Sequence, residues 1–275
     1  GCDYGFHMTI DDWNDGIRAE LPQMFDEGIS SFKMYMTYPA MMIGDEAMFH
    51  ALREMKRLGG IVGVHCENAG MIDALIAEKK AAGALSPASH PLCRPAEAEA
   101  EAVGRLLKLA RVADVPVMIV HLSTAAALRE VEAARGLGQK VFVETCPHYL
   151  LLDDSRYSLP DFAGARYVCA PPLRKKLDNE RLWKALADGE IQTDGSLQLH
   201  PRAEGRRARR FHENSRRHAR RGDARHAAVH LRRRSRPHHG RAHGRCAGRN
   251  AREALRSLPP QGRAAAGRGR GHRRI

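Results

Sequence analysis

Three apolar, strand-like runs, SSFKMYM, GGIVGVH and VPVMIVHL, are separated by helical patterns, and each carries toward its end a residue able to reach a metal: Lys33, His65 and His121. Runs rich in β-branched and bulky apolar residues that alternate with helices are the mark of βα units feeding a parallel sheet. Helical patterns are expected over 11–27, 45–58, 68–82, 95–113, 123–135 and 179–187, with Pro95 in the first turn of the fourth and Gly138 and Gly189 as caps. Strands are expected near Lys33, His65, His121, Glu144, Cys169 and Gln192, and 1–7, GCDYGFH, reads as a further interior strand. The fold class is therefore α/β, a partial TIM-type (β/α)8 barrel. Such a barrel sets its chemistry at the carboxyl ends of its strands, which is where the three residues fall.

A lone histidine at a strand end is more often a hydrogen-bonded structural residue than a ligand; three candidate donors on one edge change that balance. Lys33 is the unusual member. An ammonium in a run this apolar carries a desolvation cost unless it is paired, reaches out to water or is chemically altered. Carbamylation by carbon dioxide is one such alteration, and it turns the amine into an anionic oxygen donor that can bridge two cations.

The strings SFKMYMTY, GVHCENAG, IVHLST, ETCPHYLLLDD and YVCAPPLRKK, in that order, closely resemble the hydantoinase and dihydropyrimidinase branch of the cyclic amidohydrolases, from Gly1 to about Thr193. The resemblance implies an amidohydrolase-type barrel that opens hydantoin or dihydropyrimidine rings. By resemblance, Lys33 is the carbamylated lysine bridging two divalent metal ions, zinc above all, and His65 and His121 are ligands of the second. Tyr38 is the tyrosine whose hydroxyl stabilises the oxyanion. Cys169 and Ala170 lie on the loop against the cyclic amide, in contacts made largely through backbone. Glu67 and Asn68 are candidates for orienting the ligands from behind. Relatives are typically tetramers. Dihydroorotase and allantoinase activities are lesser alternatives, against which the HCEN and APPLRKK strings speak.

Two parts of the family pattern are missing. No His-x-His pair precedes Lys33, and the Ser-Thr-Asp-His string that supplies an aspartate after the sixth barrel strand is replaced by DGSLQLH after EIQT. The composition changes at that junction. Residues 194–275 hold 24 arginines and five acids, a net of +19, so of the chain's +13 residues 1–193 carry −6. The segment 194–200 can be encoded so that a frame one base later reads TDHCSF, and 211–225 so that it reads STKIPGGMPGVETR. Residues 1–193 are thus expected to be a partial barrel, and 194–275 an out-of-frame, Arg-rich, disordered tail in which Asp194 is not the family's aspartate. The competing reading of that tail is a nucleic-acid-binding arm with steep salt dependence, which the frame test disfavours.

Six cysteines form no C-x-x-C pair, so neither a zinc ribbon nor a disulfide framework is indicated, and a reducing cytoplasm suits them. No apolar stretch is long enough for a membrane span. His90 and His148 read as loop residues, structural or solvated, the acids of PAEAEAEA as a solvated first turn, and Met34, Met36, Met41 and Met42 as packing or pocket lining. A non-catalytic dihydropyrimidinase-like scaffold is the alternative to an enzyme. Retention of Lys33, His65 and His121 together favours catalytic ancestry, while the missing ligands predict that this polypeptide is itself inactive.

Overall fold

The computed structural model describes residues 6–195. Its frame is a single series of parallel strands, β1 (Met8–Thr9), β2 (Ser31–Tyr35), β3 (Ile61–His65), β4 (Val117–Ile119), β5 (Val141–Thr145) and β6 (Thr193–Asp194), each paired to the next in sequence order. Parallel strands in strict order, joined by helical crossovers, form an arc of a βα barrel.

The crossovers are helices α1 (Asp15–Asp26), α2 (Asp45–Leu58), α3 (Ala69–Ala81), α4 (His90–Cys93), α5 (Ala96–Ala113), α6 (Ala125–Gly136), α7 (Pro147–Leu151) and α8 (Lys176–Asp188). Local chemistry sets their ends. Asn14, Asn68 and Thr124 each cap a helix by accepting a backbone N–H three residues on, so α1, α3 and α6 start one to four residues after the start that periodicity suggests. Pro95 is the cap residue of α5 rather than part of its first turn. Gly59 and Gly189 close α2 and α8 in the left-handed conformation that glycine adopts at low cost.

In α2 the buried residues Met48, Ala51, Leu52 and Met55 repeat at helical spacing and face the strands. Val62 and Val64 of β3 and Val117 and Ile119 of β4 fill the same core, each side chain contributing about 1.5–3 kcal/mol by leaving water. Met34 and Met36 belong to this core, whereas Met42 is exposed.

Three expectations are corrected. No strand forms near Cys169; residues 154–167 wind into two short 3-10 helices, and the chain reaches β6 only after α8. His148 of CPHYL and His90 of SHPL lie in the short helices α7 and α4, not in loops, and His148 is buried. Glu99 of the acidic run is buried rather than solvated. The four described cysteines, Cys66, Cys93, Cys146 and Cys169, are free and buried. No helix among the described residues is long and apolar enough to cross a membrane. Most of the expected strand at 1–7 and of the Arg-rich tail at 194–275 lies outside the described residues; strand β1 itself begins at Met8.

Candidate active site

Register brings the candidate donors to one edge. Lys33 pairs with Gly63 and Tyr35 with His65 across β2 and β3, and Val64 pairs with Ile119 of β4, two residues before His121. Gly63 is required by close approach: a Cβ there would sit 2.8 Å from Val120 Cγ1 and 3.8 Å from Lys33 Cδ. Glycine at this point leaves room for the Val120 side chain, while the Lys33 stem passes at ordinary contact distance.

His65 and His121 meet directly, His65 Nδ1 lying 3.1 Å from His121 Nε2, and both rings are buried. On its other side His65 Nε2 donates to Glu67 Oε2 at 2.8 Å. That carboxylate holds the proton on Nε2 and leaves the Nδ1 lone pair aimed at His121. His121 Nδ1 has no hydrogen-bond partner among the described residues. Desolvation depresses both imidazoles, His121 well below the usual range, so both are neutral, and a cation entering between them would replace the His65 Nδ1 to His121 Nε2 hydrogen bond.

Lys33 Nζ donates to the Met34 carbonyl at 3.3 Å and lies 3.8 Å from the centre of the Tyr35 ring. Burial lowers its pKa to about 7, against the opposing pull of Cys66 and Glu144. A lysine that is substantially neutral near pH 7 is the form that reacts with carbon dioxide. Tyr38 stands at the rim, its ring 5.0 Å from that of His65. Tyr38 and His121 both hold left-handed backbone, at φ 73° and 43°. Such conformations in non-glycine residues cost about 1–3 kcal/mol and concentrate at functional sites.

The 169–173 loop contains a cis Ala170–Pro171 bond and is held by three side chains. His90 Nε2 donates to the Cys169 carbonyl at 2.6 Å, the Tyr149 hydroxyl donates to the Pro171 carbonyl at 2.6 Å, and Leu173 N–H donates to the Tyr157 hydroxyl at 2.8 Å. His90 is thus structural and half-buried, one of the two readings of it open from sequence. Cys169 is buried and Ala170 half-buried. Asn68 points away from the ligands: its Oδ1 caps α3 and its Nδ2 donates to Glu101.

The set is incomplete as a metal centre. Among the described residues no three His, Cys, Asp or Glu side chains converge, so the fit to a divalent ion rests on two imidazoles and on Lys33, which donates only once carbamylated. Asp194 ends β6 in register with Thr145 and lies near enough to Glu144 to raise its pKa. Sequence reading missed Arg94, Glu99 and Arg174, all buried and ion-paired beneath the site.

Glu144 yields a test of burial at this edge. Desolvation raises its pKa from 4.5 to about 7, with Lys33 opposing and Asp194 reinforcing. A carboxyl whose folded pKa is raised contributes stability that is full below the unfolded pKa and is lost as pH rises through the folded one. Glu144→Gln is expected to raise stability above about pH 7 by at most ~3 kcal/mol and to flatten the slope of urea midpoint against pH. An unchanged slope would place Glu144 in water.

No family model matches the chain. It is 43% identical over 198 residues to a D-hydantoinase of Geobacillus stearothermophilus, covering 71% of this chain and 42% of that one. It is likewise 43% identical over 190 residues to a D-phenylhydantoinase of Escherichia coli, covering 69% and 41%. Among solved structures, the dihydropyrimidinase of Brevibacillus agri superposes with a TM-score of 0.72 at 43% identity, over 74% of this chain and 44% of that chain. The chain therefore spans a little over two-fifths of the length of the relatives it matches. With the parallel order of its strands and this identity along the aligned stretch, the chain is homologous over that stretch to the D-hydantoinases and dihydropyrimidinases.

Proposed function

We propose that the described residues form one half of the site of a metal-dependent cyclic-amide hydrolase, the reaction being ring opening of a hydantoin or dihydropyrimidine. The observation that carries this reading is the contact of His65 Nδ1 with His121 Nε2 at 3.1 Å on the strand edge that also bears the half-buried Lys33. Lys33 as its carbamate, His65 and His121 would hold a single divalent ion, and zinc suits a set of imidazoles and an anionic oxygen. Bound there, the ion supplies Lewis acidity and an activated water. The chain's own residues do the rest. Glu67 holds the His65 ring, the Tyr38 hydroxyl donates to the carbonyl oxygen as negative charge develops on it, and the backbone of the 169–173 loop presents amide groups to the ring. The frame-shifted reading of 194–275 is in keeping with the same ancestry, because 194–200 can be encoded so that the next frame reads Thr-Asp-His at the junction.

The test is equilibrium dialysis of the 275-residue chain against zinc in bicarbonate buffer, beside assays of hydantoin and dihydrouracil ring opening. The expected result is one weakly bound ion per chain and no measurable turnover. Two ions per chain with clear turnover would sink the half-site reading, and no bound ion would sink the metal site itself.

A further inference from the structure

Behind the histidine pair lies a buried chain of charges that the family resemblance did not bring into view. Glu67 accepts through a single oxygen, Oε2, from His65 Nε2 at 2.8 Å and from Arg94 Nη1 at 2.5 Å, and its Oε1 has no partner among the described residues. Glu67 is fully buried and Arg94 nearly so. With both donors on one oxygen, Arg94 is the only hydrogen-bond donor besides His65 itself that holds this carboxylate among the described residues.

Arg94 also reaches two other parts of the site. Its guanidinium carbon lies 5.6 Å from the centre of the Tyr38 ring, within cation–π range. Its carbonyl accepts from Arg174 Nη1 at 2.5 Å, and Arg174, the residue after the 169–173 loop, further donates to Ser123 Oγ at 2.9 Å and to Glu99. Ser123 lies two residues beyond His121. One side chain therefore touches the carboxylate behind one candidate ligand and the face of the rim tyrosine, while its main chain is tied to the arginine that bounds the amide loop and braces the segment after the other ligand.

We propose that Arg94 is a positioning residue: it holds Glu67, and through Glu67 the ring of His65, in the same framework that holds Tyr38 and the 169–173 loop. The proposal rests on the reading of Lys33, His65 and His121 as metal donors. A lone ion pair that merely joined two helices would leave metal affinity alone when cut. This one ends on the nitrogen opposite the ligating face of His65, so cutting it frees the ring to turn.

The probe is cobalt(II), titrated into the full chain and followed by its visible absorption, with circular dichroism and urea midpoints recorded on each variant. Arg94→Met is expected to weaken cobalt binding about 10- to 100-fold, the range found when an outer partner of a ligating histidine is lost, and to change the shape of the visible bands. Arg94→Lys restores most of the affinity, because a single bond to Oε2 asks only for a point donor. Arg135→Met is the control. Arg135 is a half-buried arginine that ties the Val141 and Glu190 carbonyls far from the histidines, and its loss lowers the urea midpoint without moving cobalt affinity. If Arg94→Met is too unstable to purify, E67Q/R94M leaves no unpaired buried charge and carries the same expected loss. Wild-type affinity and spectrum in Arg94→Met or in that double variant would overturn the proposal, as would an equal loss in Arg135→Met. The metal reading is checked separately by His121→Ala: if wild type binds no cobalt, or His121→Ala binds it as well as wild type, that reading falls and takes the positioning role with it.

Discussion

Replacing His121 with alanine is expected to weaken binding of zinc or cobalt to this chain by at least about a hundredfold, because structural zinc sites share about 10–16 kcal/mol among their donors and few donors are present here. His121 reaches His65 Nδ1 through Nε2 at 3.1 Å, so its removal leaves one imidazole and Lys33. Lys33→Ala is expected to have an effect of similar size, with one distinguishing sign. In wild type, affinity rises with added bicarbonate, since carbamylation converts a cationic repeller into an anionic donor; in Lys33→Ala it does not. Isothermal titration at two bicarbonate concentrations measures both. Binding that ignores bicarbonate in wild type would remove the carbamate from the site while leaving the imidazoles in it. His121→Ala keeps a Cβ at this left-handed position and so gives no relief there, and loss of the buried ring is expected to lower thermal stability.

What the sequence made legible follows from how local each feature is. Lys33, His65 and His121 could be placed on one edge because each closes a short, near-continuous apolar run set between helical patterns, and register then needs only the sheet order. Helix α2 matches the expected 45–58 because its acidic start, basic last turn and Gly59 all agree with its apolar stripe. CPHYL escaped notice because five residues carry no period, and the expected strand near Cys169 failed because the chain there is held by the side chains of His90, Tyr149 and Tyr157 rather than by a ladder. Asn68 was read as a ligand-orienting group from its place beside Glu67, yet it serves the helix that begins one residue later. Glu99 was the least legible. Three glutamates alternating with alanines look like one solvated face, and what pairs with Glu99 is an arginine 75 residues downstream, which no local pattern announces.

That pair gives the second large expected effect. Glu99 is 2% exposed; its Oε1 accepts from the Ser123 backbone N–H at 2.7 Å, and its Oε2 from Ser123 Oγ at 2.7 Å and from Arg174 Nη2 at 3.3 Å. Removing either charged partner leaves the other buried and uncompensated, which costs about 3–5 kcal/mol. Glu99→Ala is expected to lose that amount in urea denaturation at any pH near neutral, because a guanidinium cannot shed its proton to escape burial. Arg174→Met behaves differently, because a carboxyl can. Burial already raises the pKa of Glu99 despite Arg174, and without the arginine it rises further. A raised folded pKa means that the native state holds its proton more tightly than the unfolded chain, so stability falls as pH climbs from the unfolded pKa toward the folded one. Arg174→Met should therefore be least destabilised at acid pH, where protonation neutralises Glu99, and lose stability progressively as pH rises. Adding Glu99→Gln to Arg174→Met removes the charge altogether, and the double variant should be more stable than Arg174→Met alone at pH 8 and no more sensitive to pH than wild type. A urea midpoint for Arg174→Met that did not change between pH 5 and 8 would mean that water reaches Glu99, and the tie between the amide loop and the segment after His121 would then be far weaker than its burial implies.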